Sequence, residues 1–211
     1  AQLLFSSSAA YALSKVAFPG AKALNKIIEV ALLFTSTVLY IMQYMVMATL
    51  GMIDTYFAII LPYIATPMGL FLMRQFMGQL PDSMIEAAKL DGASELRTLV
   101  NVVLPMSTPI IGTIGLMSGL AYWNDWTNGL YYLVKRTDLY SIQNVLTNML
   151  NNIQFLKTAT QLQGINIEMG TLPSVSIRMA IAVVAVIPVM IVYPFIQKSF
   201  VKGIVIGGVK G

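Results

Sequence analysis

The chain has 211 residues, of which 57% are hydrophobic and only 10% charged, with a net charge of +4 and a mean hydropathy of +0.74. Soluble domains carry about 25% charged residues, so the deficit points to an integral membrane protein. With neither cysteine nor histidine, the chain excludes a disulfide framework, thiolate metal sites and the commonest general base, which argues against triad or metal-dependent enzymology.

A bilayer-crossing helix needs about 20 mostly apolar residues. Five stretches are read as spans, at about 3–18, 27–50, 56–78, 99–123 and 175–196 of an all-α, polytopic helical bundle. The first begins inside a hydrophobic run without an initiator Met, so further spans are expected before it. It is softened by Ser6, Ser7 and Ser8 and ends at Lys15 and a Pro19-Gly20 turn. A charged segment at 81–98 separates the third and fourth spans, and a long polar segment at 125–174 separates the fourth and fifth.

Orientation follows from the distribution of Lys and Arg, which concentrate on the cytoplasmic side. With 81–98 placed inside, the inner set is Lys15, Lys22, Lys26, Arg74, Lys89, Arg97, Lys198, Lys202 and Lys210. The outer set is Lys135, Arg136, Lys157 and Arg178. The bias puts the charged segment and the C-terminus inside and 125–174 outside.

Pro62, Pro67, Pro109, Pro188 and Pro194 fall within spans. Each removes a backbone donor, and two readings stand: kinked helices around a pathway that opens and closes, or ordinary proline use in membrane helices. Gly112, Gly115 and Gly119 share one face of the fourth span and suit close helix packing. Tyr122-Trp123-Asn124-Asp125-Trp126 sits where that span reaches the outer side. It reads either as an interfacial aromatic belt or as a polar and aromatic lining for a sugar path. An amphipathic helix is expected on the outer surface around Ile142 to Phe155.

The charged segment is the most informative stretch. Pro81-Asp82-Ser83 reads as a helix start, with Ser83 and Glu86 as a capping box. Ala87, Ala88, Lys89 and Leu90 favour helix, Gly92 suits a left-handed stop, and Ser94 suits the cap of a second helix. Pro105 falls near the start of the fourth span, where it is placed to bend that helix. A solvated loop and a handle for a partner protein both account for this pattern.

Glu86-Ala87-Ala88, three residues, Gly92, nine residues, Val102, one residue, then Leu104-Pro105 resembles the EAA motif of ATP-binding-cassette importer permeases. Val102 stands where the family pattern has Ile. The longer string EAAKLDGAS, the pair Trp123-Asn124 and the ending Phe200 to Gly211 resemble the carbohydrate, maltose-type branch. The resemblance implies the transmembrane domain of a type I importer over 1–211, in a bacterial plasma membrane, crossing it several times. It further implies that Glu86, Ala87, Ala88, Asp91, Gly92, Leu104 and Pro105 belong to the element that couples to an ATPase, and it leaves Tyr122, Trp123 and Asn124 as candidates for the substrate pathway. The implied partners are a second permease subunit in a heterodimer, two cytoplasmic ATPase subunits that bind ATP and Mg, and an extracytoplasmic sugar-binding protein. No cofactor, metal or nucleic acid is expected on this chain, which has no phosphate-binding GxxxxGK[ST] loop.

Alternatives are a permease for a non-sugar solute and an ion-driven secondary transporter. The latter usually places ionisable relays in mid-span, whereas Glu29 and Arg178 lie near span ends.

Overall fold

The computed structural model describes residues 1–34, 36–163, 176, 179–191 and 193–194, and every regular element among them is helical. Arg178, residues 164–174 of the outer segment, and the ending with Lys198, Lys202 and Lys210 lie outside the described residues.

Helix α1 (Gln2–Lys15) stops at Val16, which is extended, and Gly20 makes the next turn at φ +95°. The expected second span is divided into α2 (Ala21–Ala31) and α3 (Ser36–Thr49). The third is also two helices, α4 (Tyr56–Ile64) and α5 (Pro67–Gly78), bent by 41°. Pro67 explains the break. It sits at the start of α5, where its missing N–H costs nothing, and it forces the preceding Thr66 into the extended region observed.

Two short helices follow, α6 (Asp82–Leu90) and α7 (Glu95–Thr98). The backbone then widens into a π turn at Leu99–Val103, passes through α8 (Leu104–Met106) and turns at Ser107 into α9 (Thr108–Trp123). The two halves, Glu95–Met106 and Thr108–Trp123, meet at 81°. Pro105 lacks a donor and its ring crowds the carbonyl four residues back, at Asn101; the wider π turn absorbs that conflict. The expected span at 99–123 is therefore no straight rod.

After α9 come α10 (Thr127–Tyr132) and α11 (Ile142–Gln163), the latter longer than the amphipathic helix anticipated. Helix α12 (Met179–Ile191) lies within the stretch expected as the fifth span. No single described helix is long and apolar enough to cross a membrane; the bent pairs α4–α5 and α7–α9 are.

The main core brings together Ala10 and Tyr11 of α1, Leu70, Met73 and Met77 of α5, Ile85 of α6, Leu99 and Val103 of the π turn and Ile114 of α9. A smaller cluster of Met47, Ala58 and Tyr132 joins α3, α4 and α10. Gly115 belongs to the packing: a Cβ there would stand 3.4 Å from Leu3, whereas Gly112 and Gly119 face open space within this chain.

Asp54, at the end of the bundle opposite the 81–98 segment, fastens to the chain after α10. At φ +61°, its Oδ1 accepts the backbone N–H groups of Lys135 (2.8 Å) and Arg136 (3.1 Å), while its own N–H donates to Tyr132 O. These bonds, the one from Lys135 first, hold its carboxyl below the usual range. A depressed pKa in the folded state means that the clasp is fully made above the ordinary carboxylate pKa and lost as pH falls through the depressed value. Asp54→Ala is expected to raise amide exchange at Lys135 and Arg136 at neutral pH; the native chain should match it only in strong acid, after correction for intrinsic exchange. Equal protection in both proteins at pH 7 would contradict the clasp.

Candidate functional site

The 81–98 segment is a helix, a turn and a helix held against the end of the bundle where α1 and α5 terminate. Its start differs from the expected capping box. Ser83 lies inside α6, Pro81 is the N-cap residue, and no side chain caps the first turn. Proline fixes the entry torsion and puts Asp82 into the first turn, where its charge favours the helix N-terminus, so Ser83 has no capping role to fill.

The end of α6 follows the expected chemistry. Gly92 adopts φ +79°. The N–H of Ala93 bonds to Ala88 O and that of Gly92 to Lys89 O, both at 3.0 Å; this pair of bonds is the Schellman closure. The chain reverses, and Ser94 caps α7 by accepting the N–H of Arg97 at 3.4 Å. Gly92 faces open space on its Cβ side, so glycine is required there by its torsion rather than by crowding.

Ile85 is the residue of α6 that is buried. Glu86, Ala87, Asp91 and Gly92 are exposed, and Ala88 is half-buried. Leu90 is 88% and Leu96 71% exposed. The segment therefore offers a small-residue helix face edged by bare leucines and carboxylates. Leu104 packs against the core, and Pro105 is exposed at the bend.

Charged contacts brace the loop from within. Lys89 Nζ pairs with Glu95 Oε1 at 2.5 Å, and the Tyr11 hydroxyl donates to Glu95 Oε2 at 2.5 Å. The Lys89 contact, then the Tyr11 bond, hold the Glu95 carboxyl below its ordinary range.

The pathway candidates Tyr122, Trp123 and Asn124 do not converge. Consecutive helical residues point about 100° apart, and these three separate accordingly. The Tyr122 ring meets Tyr63 at 4.7 Å. Trp123 donates its indole N–H to Ala185 O of α12 at 3.0 Å. Asn124 is exposed, with its side-chain oxygen 3.4 Å from Gln143 Nε2.

The Tyr63–Tyr122 pair stands between two cavities. One, of about 180 Å³, is lined by Gln2, Tyr63, Thr66 and Ser118 among apolar neighbours. Gln2 donates to Thr66 Oγ1 at 2.9 Å, and its Oε1 is buried without a partner. The other, of about 250 Å³, is lined by Tyr122, Asp125 and Ser141. Asp125 is buried and caps α10, accepting the N–H groups of Thr127 and Asn128 at 3.0 Å. Asp125 belongs to the stretch read as a polar lining, whereas Gln2, Tyr63, Thr66 and Ser118 escape a sequence reading because they come from four segments. Their one local signal is a polar side chain inside an apolar run.

The family described as the binding-protein-dependent transport system inner membrane component matches residues 2–206. The chain belongs to that family and is a permease subunit of a binding-protein-dependent importer. It is 35% identical over 210 residues to Protein LplC of Bacillus subtilis, covering 100% of this chain and 69% of that one. It is 36% identical over 212 residues to the polygalacturonan/rhamnogalacturonan transport system permease protein YtcP of Bacillus subtilis, covering 99% and 71%. A solved bacterial ABC transporter involved in the import of the acidic polysaccharide alginate superposes with a TM-score of 0.79 at 28% identity, over 94% of this chain and 69% of that one. The expected helical permease fold is thus correct.

Proposed function

We propose that the chain is the permease subunit of an ATP-driven importer of oligosaccharides, and that 81–98 is its docking element for a cytoplasmic ATPase. The observation that carries the docking is the form of α6. A single buried residue, Ile85, fastens it, a Schellman turn at Gly92 ends it, and Glu86, Ala87, Asp91 and the bare Leu90 and Leu96 face away from the bundle. Small residues permit close approach and exposed leucines supply apolar area to bury. Leu104 and Pro105 pass displacement of the loop into α9 through the bend at Ser107. ATP and Mg belong to two ATPase subunits; a second, different permease subunit completes the pathway; an external binding protein delivers the solute. The loop and the C-terminus face the cytoplasm.

The sugar class is supported by relatives whose names specify polygalacturonan/rhamnogalacturonan, arabinooligosaccharide and trehalose/maltose transport. Along the path, Tyr122 stacks on the apolar faces of sugar rings and Asn124 meets hydroxyls at the outer mouth. Trp123 offers only its ring face, its N–H being engaged by α12.

Ala87→Cys, in native membranes, is expected to cross-link to a soluble ATPase subunit. Deleting the chain is expected to abolish uptake of labelled oligosaccharide. A functional importer without the cross-link overturns the docking assignment; loss of amino-acid or metal uptake instead overturns the sugar.

A further inference from the structure

The docking loop is tied to a helix far from it in sequence. We infer that the last turn of α1 is the arm that carries the loop, with Tyr11 and Lys15 as positioning residues that clamp its two halves to the first span. This rests on reading 81–98 as the ATPase-docking element.

The geometry is a four-cornered brace. The Lys15 side chain is 6% exposed, and an ammonium has three donors. All three are used: Leu80 O at 2.7 Å, Gly78 O at 3.2 Å and Asp82 Oδ1 at 2.7 Å. The two carbonyls lie at the C-terminal end of α5, where backbone acceptors are left without helical donors and carry partial negative charge. Asp82 is the first residue of α6. One helical turn before Lys15, on the same face, the Tyr11 hydroxyl reaches Glu95, the first residue of α7. The other Glu95 oxygen binds Lys89 in the last turn of α6. Ile85 completes the contact from the apolar side, in the same buried cluster as Ala10 and Tyr11.

The consequence is mechanical. The elements adjoining α6 in sequence reach it through the turns at 79–81 and 91–94, the second closed by the bonds at Gly92 and Ala93. Helix α1 reaches it through a buried ammonium and a buried phenol. Sliding α1 past the loop would break the Lys15–Asp82 pair and the Tyr11–Glu95 bond and unpack Ile85. The end of α5 is held to the same helix by the Gly78 and Leu80 carbonyls on Lys15 and by Met73 and Met77 in the shared core. Displacement of the docked loop therefore moves α1 as one body with it, and with α1 the buried Gln2 at the far end, beside the cavity at Tyr63 and Ser118.

The test uses the assembled importer with spin labels at Leu4→Cys on α1 and Ser83→Cys on α6, both exposed. Distances are read without nucleotide and after trapping with ATP and vanadate. One narrow, unchanged distance is expected in both states. With Tyr11→Phe, which removes one hydroxyl, or Lys15→Met, the distance should shift or broaden on trapping, and Lys15→Arg should restore the single distance. A brace that only aids folding would lower the yield of complex without making the distance depend on nucleotide. A distance that changes on trapping in the otherwise native chain, or stays fixed in both Tyr11→Phe and Lys15→Met, overturns the clamp. The docking reading is judged separately in the same complex by the Ala87→Cys cross-link.

Discussion

Gly92→Val is expected to leave the chain in the membrane and to lower ATP-dependent uptake roughly thirtyfold, a factor equivalent to about 2 kcal/mol. Gly92 sits at φ +79°, where a side chain costs roughly 1–2 kcal/mol and a β-branched one is a genuine outlier. Valine would drive the turn out of the left-handed region and open the bonds from Ala93 to Ala88 and from Gly92 to Lys89. The presented face of α6 would then be one conformation among several. Because nothing lies within 4 Å of an added Cβ, crowding is not the cause, and Gly92→Asn should retain most of the transport, since asparagine tolerates the left-handed region. Membrane fractionation with solute uptake separates the outcomes. Normal uptake by the valine variant, or equal loss in both variants, would sink the conformational account.

Gly129→Ala sets two effects of opposite sign against each other. By helix propensity alone it should stabilise α10 by about 1 kcal/mol. The structure decides otherwise. A Cβ at 129 would stand 2.9 Å from Asn144 Cγ and closer still to Nδ2, and Asn144 is 2% exposed. Displacing it breaks the bond from Nδ2 to Trp126 O (2.7 Å) and disturbs the one that Oδ1 accepts from Asn148 (3.0 Å). Overpacking costs typically 1–3 kcal/mol, and each lost hydrogen bond about 1 kcal/mol more. The net expectation is destabilisation by about 2 kcal/mol, seen as faster proteolysis of α11 and a lower thermal midpoint. Asn144→Ala should cost less in the Gly129→Ala background than alone, because the two side chains compete for one space. A more stable Gly129→Ala protein would show that propensity outweighs packing here.

Much of the 81–98 loop was legible because its determinants are local. A glycine that must turn left-handed, a serine that caps and a run of helix formers act within a few residues of themselves, so 81–98 was readable as two helices around Gly92. The misplaced cap at Ser83 has the same origin. Proline and Ser83 were competing starts two residues apart, and the rigid torsion of Pro81 prevailed. The spans were legible as apolar stretches but not as helices. A composition window does not register that Pro67 breaks α4 from α5, or that Ser107 turns α9 by 81° from the segment before it.

The outer residues mark the boundary of local reasoning. Tyr122, Trp123 and Asn124 are neighbours in sequence but face three directions, towards Tyr63, α12 and Gln143. The polar lining beside them is assembled from α1, α4, the α4–α5 break and α9. Lys15 reads in sequence as one more inside charge, and Tyr11 as an ordinary residue of a span.

By itself the sequence determined the membrane class, the helical content, the permease family and the turn that presents α6, since each depends on composition or on interactions only a few residues long. The tertiary structure alone decided which helix touches that loop and where the cavities lie. Both depend on groups 64 to 84 residues apart, such as Gln2 with Thr66, Lys15 with Asp82 and Tyr11 with Glu95, and such pairs meet only when packing has set the helices side by side.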